Sequence, residues 1–294
     1  LPLLPVALAT ALLLPPAAGC RRRPPDSGPT LSGSPVVLVC VDTLRSDRLP
    51  VYGYGGVETP ALSAFRADAV LFERAYSPVP LTLPAHVSLF TGHLPPRHWV
   101  HDNLGYTVRP DLPLLAELLG KAGYATGGAV SSVVLAGRTG ISRGFGFWDD
   151  SVVPTRPNQA LNRVQRSGDE AEAALEAWVD GVKDRPFLAF LHLYEPHSPY
   201  DPPEPFRSRY PDPYDGEVAA ADAILGRFLS FLKARGLYDK ALVVFLSDHG
   251  EGLGDHGENE HGVFLYRESL QVPLLVKLPK GAGPAGTSVA APVQ

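Results

Sequence analysis

The chain has 294 residues, with 26 Lys and Arg against 31 Asp and Glu, and a formal charge of −5 at pH 7. That balance leaves no basic footprint for nucleic acid or for an anionic bilayer. Its two cysteines, Cys20 and Cys40, exclude a disulfide framework, and about 260 residues beyond an apolar start suit one large α/β domain with a well-buried core.

Residues 1–18 are apolar and rich in Leu, Ala and Pro, too short and too broken by Pro for a membrane span. They read as a signal peptide. Ala17-Ala18-Gly19-Cys20 resembles a bacterial lipoprotein cleavage site, so residues 1–20 are expected to be a lipoprotein-type leader with Cys20 acylated, and a plain secretory signal is the alternative. Residues 21–34, rich in Pro, Arg, Gly and Ser, form a flexible tether. The expected catalytic domain is 35–294. The chain opens on Leu1 and stops at Gln294 straight after a strand-like run and a loop, so a C-terminal truncation is expected.

Residues 35–41 are a continuous apolar run of the kind buried on both faces of a parallel sheet, and Asp42 follows at the carboxyl end, where open α/β sheets bind ligands. Thr59-Pro60 marks a helix start, and the helix runs to Ala69. Residues 70–72 form a short strand leading to residues 80–92. There Pro84 suits the first helical position, which puts Thr82 and Leu83 in extended backbone just before the helix. A hydroxyl at that place faces free backbone N–H groups and the positive end of the helix dipole, and its default role is an N-cap. Further along, helices are expected at 112–122, 170–182 and 218–234, and strands at 126–132, 187–193, 241–246 and 272–276. Strands alternating with helices imply a three-layer α/β/α sandwich around a largely parallel central sheet.

Three strand ends, after Val41, Leu193 and Leu246, each deliver Asp, Glu or His. Uncompensated charge near a core is costly, and a divalent cation resolves it. Asp42, Asp248 and His249 form the expected ligand set, with Thr82 completing it. Taken singly, Asp42 could cap its own turn and Asp248-His249 could be a surface turn.

From about Pro35 onward the chain resembles the sulfatase branch of the alkaline phosphatase superfamily. The resemblance is carried by the strand ending in Asp42, the Thr82 segment running into Leu89-Phe90-Thr91-Gly92, Glu195-Pro196-His197-Ser198-Pro199-Tyr200, Ser247-Asp248-His249-Gly250-Glu251, and Tyr266 to Pro273. It implies an alkaline phosphatase-like fold and metal-dependent ester hydrolysis. Sulfatases carry Cys or Ser in a Cys/Ser-x-Pro-x-Arg motif and oxidise it to formylglycine. Here the motif reads Thr82-Leu83-Pro84-Ala85-His86. Thr is not known to undergo that conversion, and the motif Arg has become His86. The family's Lys-Trp-His segment falls near 127–137, which holds neither Lys nor His, and its later sulfate-binding Lys aligns with His261.

These departures resemble the nucleotide pyrophosphatase-type phosphodiesterases, which use a Thr nucleophile directly. The segment His98-Trp99-Val100-His101-Asp102-Asn103 is similar to theirs, with Asn103 matching the Asn that holds a phosphoryl oxygen; its default role is a turn residue. Two-metal relatives keep an Asp-x-x-x-His pair where His197 and Asp201 stand. The resemblance therefore implies a second metal on His197, Asp201 and His261, with His256 a weaker candidate. The alternative is a single metal, with His197 and His261 contacting the transferred group. Zn²⁺ or Mn²⁺ suits the imidazoles, and Ca²⁺ or Mg²⁺ an oxygen-rich site.

The expected reaction is in-line displacement on a phosphate ester, or transfer of its phosphoryl group, through a covalent Thr82 intermediate. His197 would serve as acid and Asn103 as oxyanion partner. The rivals are a sulfate-ester hydrolase using unmodified Thr82 and a catalytically silent surface binding module. Substrates would be small-molecule, lipid or glycan esters. The expected location is periplasmic or cell-surface, with membrane contact only through an anchor at Cys20.

Overall fold

The computed structural model describes residues 31–153 and 164–294, so the expected leader and residues 21–30 of the tether lie outside the described residues. The first strand, β1 (Val36–Val41), is buried along both faces. Its alternation sends Val37, Val39 and Val41 into one core and Leu38 and Cys40 into another. A strand with no polar side chain can only be stable if both faces are covered, and here helices cover both.

The other strands are β2 (Val70–Phe72), β3 (Ala75–Tyr76), β4 (Ala125–Val130), β5 (Phe147–Asp149), β6 (Phe187–Leu193), β7 (Leu242–Ser247), β8 (Gln271–Val272), β9 (Leu274–Lys277) and β10 (Thr287–Val289). Eight of them form one sheet in the order β10-β2-β9-β7-β1-β6-β4-β5, and β3 pairs with β8 apart from it. Within the large sheet, among the described residues, only the pairings of β9, with β2 and β7, are antiparallel. The expected strand at 272–276 is thus split, because Pro273 has no N–H to give a ladder.

The longer helices are α1 (Pro60–Asp68), α2 (Thr82–Thr91), α3 (Leu115–Lys121), α4 (Gly168–Val182) and α5 (Pro213–Ala234). Leu62 and Phe65 of α1, Leu175 and Val179 of α4, and Ile224 and Phe228 of α5 pack on one face of the sheet. Leu83, Val87 and Phe90 of α2 and Ala116 of α3 pack on the other, which completes the three layers. Helix α5 starts at Pro213 rather than at 218, since Asp212 caps it by accepting the Tyr214 N–H at 3.0 Å and Pro213 takes the first turn. Gly127 on β4 lets α4 sit close: a Cβ there would lie 2.5 Å from the Trp178 ring. No helix among the described residues is long and apolar enough to cross a membrane.

The register positions the site. Val41 of β1 lies level with Leu193 of β6 and with Ser247 of β7. Whatever follows these three residues therefore emerges at one carboxyl edge of the sheet.

Candidate active site

Thr82 reaches that edge from α2. The helix begins at Thr82 itself: Leu81 is the extended cap residue, and the Ala85 N–H donates to the Leu81 carbonyl at 3.0 Å. This corrects the expectation of Thr82 and Leu83 in extended backbone ahead of the helix. Pro84 is tolerated at the third helical position because the N–H groups of the first turn have no partner inside the helix anyway. Leu83 uses its free N–H differently, donating to Asn103 Oδ1 at 2.8 Å. That bond orients the Asn103 amide, with Oδ1 accepting and Nδ2 left to donate.

Asp42, Asp248 and His249 sit at the ends of β1 and β7, and their exposures are 0%, 5% and 0%. His249 Nε2 lies 3.3 Å from Thr82 Oγ1, 3.4 Å from Asp248 Oδ2 and 3.7 Å from Asp42 Oδ1. Its Nδ1 is 2.9 Å from the Gly250 carbonyl, so Nδ1 carries the proton and Nε2 presents a bare lone pair. Three remote chain segments thus converge on one point.

The electrostatics of that point are unbalanced. Both Asp42 carboxylate oxygens and Asp248 Oδ2 are buried without a hydrogen-bond partner among the described residues. Burial pushes the Asp42 carboxyl up, but His192, His197 and His249 outweigh it and hold the group well below the ordinary carboxylate range. Burial and then the Asp42 charge push Asp248 well up. Burial and then His261 hold His249 well below the ordinary imidazole range. Two buried carboxylates compete to stay ionised while the imidazole facing them stays neutral. Hard oxygens and a neutral nitrogen are the donor set of a divalent cation, whose charge would keep both carboxylates ionised. Asp42, Asp248 and His249 have ligand atoms within 4.8 Å of one another.

The structure adds two residues to the expected set. His86 and His192 are fully buried, with ring centroids 5.1 Å apart. His86 Nδ1 lies 2.8 Å from the Thr82 carbonyl and His192 Nε2 lies 3.5 Å from Asp42 Oδ2. With Asp248 they form a second group whose ligand atoms lie within 4.8 Å of one another. Burial, followed by the neighbouring His192, pushes the His86 imidazole down to about 3, so it stays neutral. The signal for His192 was a lone polar residue in the apolar run Phe187–Leu193. His86 was visible only as a departure from a motif.

The second expected metal set does not assemble. His261 packs against His249 with centroids 4.4 Å apart and against His197 at 5.1 Å. Its Nδ1 is held by Glu251 Oε1 at 2.9 Å, and Glu251 also takes the Tyr200 hydroxyl at 3.0 Å. His197 is 9% exposed and its Nδ1 lies 2.5 Å from the Ser198 carbonyl. Asp201 does not join them. Its side chain is 79% exposed and pairs with Arg207. It stands four residues beyond His197 on a Pro-rich loop, and local pairing with Arg207 wins over reaching back. His256 is also apart, half exposed and 3.0 Å from Glu268.

A family model described as Sulfatase matches residues 34–293. The ulvan-active sulfatase of Formosa agariphila is 27% identical over 306 residues, covering 88% of this chain and 58% of the relative. The N-acetylgalactosamine-6-sulfatase of Rattus norvegicus is 29% identical over 300 residues, covering 85% of this chain and 54% of the relative. The chain therefore spans little more than half the length of these relatives. The crystal structure of the phosphonate monoester hydrolase of Agrobacterium radiobacter shares the fold, with a TM-score of 0.72 at 23% identity over 87% of this chain and 70% of that one.

Proposed function

The chain belongs to the sulfatase family, and from that membership we propose that it hydrolyses a phosphate ester, or transfers its phosphoryl group, with Thr82 as nucleophile. The observation that carries this reading is the placement of Thr82 Oγ1, 3.3 Å from a bare imidazole nitrogen and beside buried carboxylate oxygens that have no hydrogen-bond partner.

Asp42, Asp248, His249 and Thr82 would hold a divalent cation. When bound, it balances the two carboxylates and lowers the pKa of the Thr82 hydroxyl. Thr82 Oγ1, its proton released to solvent, attacks phosphorus, the P–O bond to the leaving alcohol breaks, and a phosphothreonine forms. Asn103 Nδ2 holds a non-bridging oxygen as charge builds. His197 hands a proton to the leaving oxygen, with His261 beside it. Water, or an acceptor alcohol, then attacks phosphorus and frees Thr82. With Asp201 drawn away to Arg207, His197 and His261 are short of ligands for a second cation, which favours contact with the transferred group instead.

The preference for phosphate over sulfate rests on Thr82. Its side chain is an unmodified secondary alcohol, and the formylglycine route of the sulfatases is closed to it. Among the described residues, no hydrogen bond or ion pair links Thr82, Asn103, His197 or His261 to Lys or Arg. A lipid or glycan ester met outside the cytoplasm, by a chain anchored at Cys20, is the substrate setting that the leader supports.

The test is Thr82→Ala assayed on paired aryl phosphodiester, phosphomonoester and sulfate substrates. Loss of a nucleophile is expected to lower kcat by roughly 10³-fold or more on the phosphate esters, with acid-quenched wild type showing phosphothreonine by mass spectrometry. Near-normal turnover by the variant overturns the reading. Aryl sulfate turnover far above both phosphates transfers it to the sulfate-ester rival. A silent binding module would show neither turnover nor a stoichiometric divalent ion.

A further inference from the structure

A cavity of about 400 Å³ opens beside His197. Its wall holds four carboxylates, those of Asp169, Glu195, Asp201 and Glu217, against two guanidinium groups, those of Arg166 and Arg227. Both arginines are already engaged. Arg166 pairs with Asp149 at 3.2 Å and donates to the Val130 carbonyl at 3.0 Å. Arg227 pairs with Glu172 at 2.9 Å and with Asp169. Asp201 is taken by Arg207. Glu195 and Glu217 are left without an ion-pair partner among the described residues.

Both are held in place by backbone amides. Glu195 Oε1 accepts the Gly168 N–H at the start of α4 at 2.9 Å, and its Oε2 is buried without a partner. A Cβ at position 168 would lie 2.8 Å from that oxygen, so the glycine is what lets the carboxylate approach. Glu217 is 6% exposed, and its Oε1 accepts the Asp201 N–H at 2.8 Å. Among the described residues no hydrogen bond reaches its Oε2. Burial, and then the charges of Glu195 and Asp201, push Glu217 up to about 7. An unpaired carboxylate in such a wall calls for a cation. The ligand atoms of these residues are not among the groups lying within 4.8 Å of one another. Among the described residues no three of them close on one point, as a bare metal ion would need, so an organic cation is the better fit. A cavity of this size accepts a small polar ligand.

The cavity meets the proposed chemistry at His197, the acid assigned to the leaving oxygen. His197 lines it and packs on His261, which packs on His249, whose Nε2 faces Thr82. We propose that this cavity is the leaving-group subsite and takes an alcohol bearing an ammonium group, anchored on Glu217 with Glu195 behind it. The assignment rests on the proposed function for the words "leaving group", while the cation preference of the cavity stands on its own.

The probes are 1-amino-1-deoxyglucitol and glucitol, which differ by one ammonium group. They are titrated calorimetrically into the metal-loaded wild type, Glu217→Gln and Thr82→Ala, at mildly alkaline pH where Glu217 is ionised and the amine protonated. One charge-assisted hydrogen bond predicts roughly tenfold tighter binding of the amine by wild type and by Thr82→Ala. Glu217→Gln is expected to bring the ratio near one, and Asp184→Asn, an acid that does not line the cavity, to leave it unchanged. Equal binding of both probes by wild type, or a preference surviving in folded Glu217→Gln, overturns the proposal. Should Glu217→Gln not fold, Glu195→Gln serves, with at least a partial loss of preference expected and an unchanged one counting against it. Because Thr82→Ala reads binding without turnover, failure of the catalytic reading leaves this result intact and is recognised separately.

Discussion

At Thr82 the decisive feature is what its neighbours have already spent. His249, His86, His197 and His261 each engage Nδ1, with a carbonyl or with Glu251, and so leave Nε2 as the nitrogen open to a further partner. An imidazole held in this way is a preset ligand or proton carrier, since the bond on one nitrogen fixes the role of the other. Asn103 works by the same logic. Its Oδ1 is pinned by Leu83 N–H at 2.8 Å, which commits Nδ2 to donation. Asn103→Ala is therefore expected to lower kcat by about 10²-fold, the usual cost of one oxyanion donor. KM should change little, because the contact strengthens as charge develops. Steady-state kinetics on a phosphate ester checks this, and an effect confined to KM would make Asn103 a ground-state binder instead.

At the scale of elements, α1 shows how one helix can be capped by another. Thr59 precedes Pro60 as the sequence pattern asks, yet its hydroxyl makes no cap and is buried without a partner. Asp222 of α5 does the work, accepting the N–H groups of Ala61 at 2.9 Å and Leu62 at 2.8 Å. Burial pushes the Asp222 carboxyl up from 3.8 to about 6, although those two hydrogen bonds oppose it. The native state thus holds this proton more tightly than the unfolded chain does. The favourable contribution is full below pH 3.8 and fades as pH rises through about 6. Asp222→Asn keeps an acceptor and removes the titration. Wild type should lose up to about 3 kcal/mol relative to Asp222→Asn across that interval, by the linkage of 1.36 kcal/mol per pKa unit. Urea melts at several pH values measure it, and a difference independent of pH would show that Asp222 does not titrate in this range.

For the whole molecule, the cluster under Thr82 is a liability to stability that ligand binding can remove. Asp42 and Asp248 are both buried, and each raises the cost of ionising the other. A saturating divalent cation should raise Tm, since binding to the native state alone adds about 3 kcal/mol at a hundredfold excess over Kd. EDTA should reverse the rise. Asp248→Asn removes the buried like-charge pair, so it is expected to melt higher than wild type in EDTA and to gain nothing from added metal. Differential scanning calorimetry with and without chelator decides. A variant that melts lower in EDTA, and still responds to metal, would place the cation elsewhere.

The chain itself determined the parallel core and the chemistry at its edge. A run such as 35–41 has no face to show to water, so it must be covered on both sides, and an acid directly after it must lie where the strand ends. Local rules of that kind fix a strand, its burial and its last residue. They do not fix what comes near from elsewhere. The register that brings Leu193 and Ser247 level with Val41 belongs to the assembled sheet. So does the recruitment of His86 and His192, which periodicity alone assigns to the core. Asp201 shows the converse, since a residue type at a promising spacing was claimed by Arg207 on the short helix that follows. Side-chain position beyond an element's end is set by competing partners across the fold, and only the tertiary structure arbitrates among them.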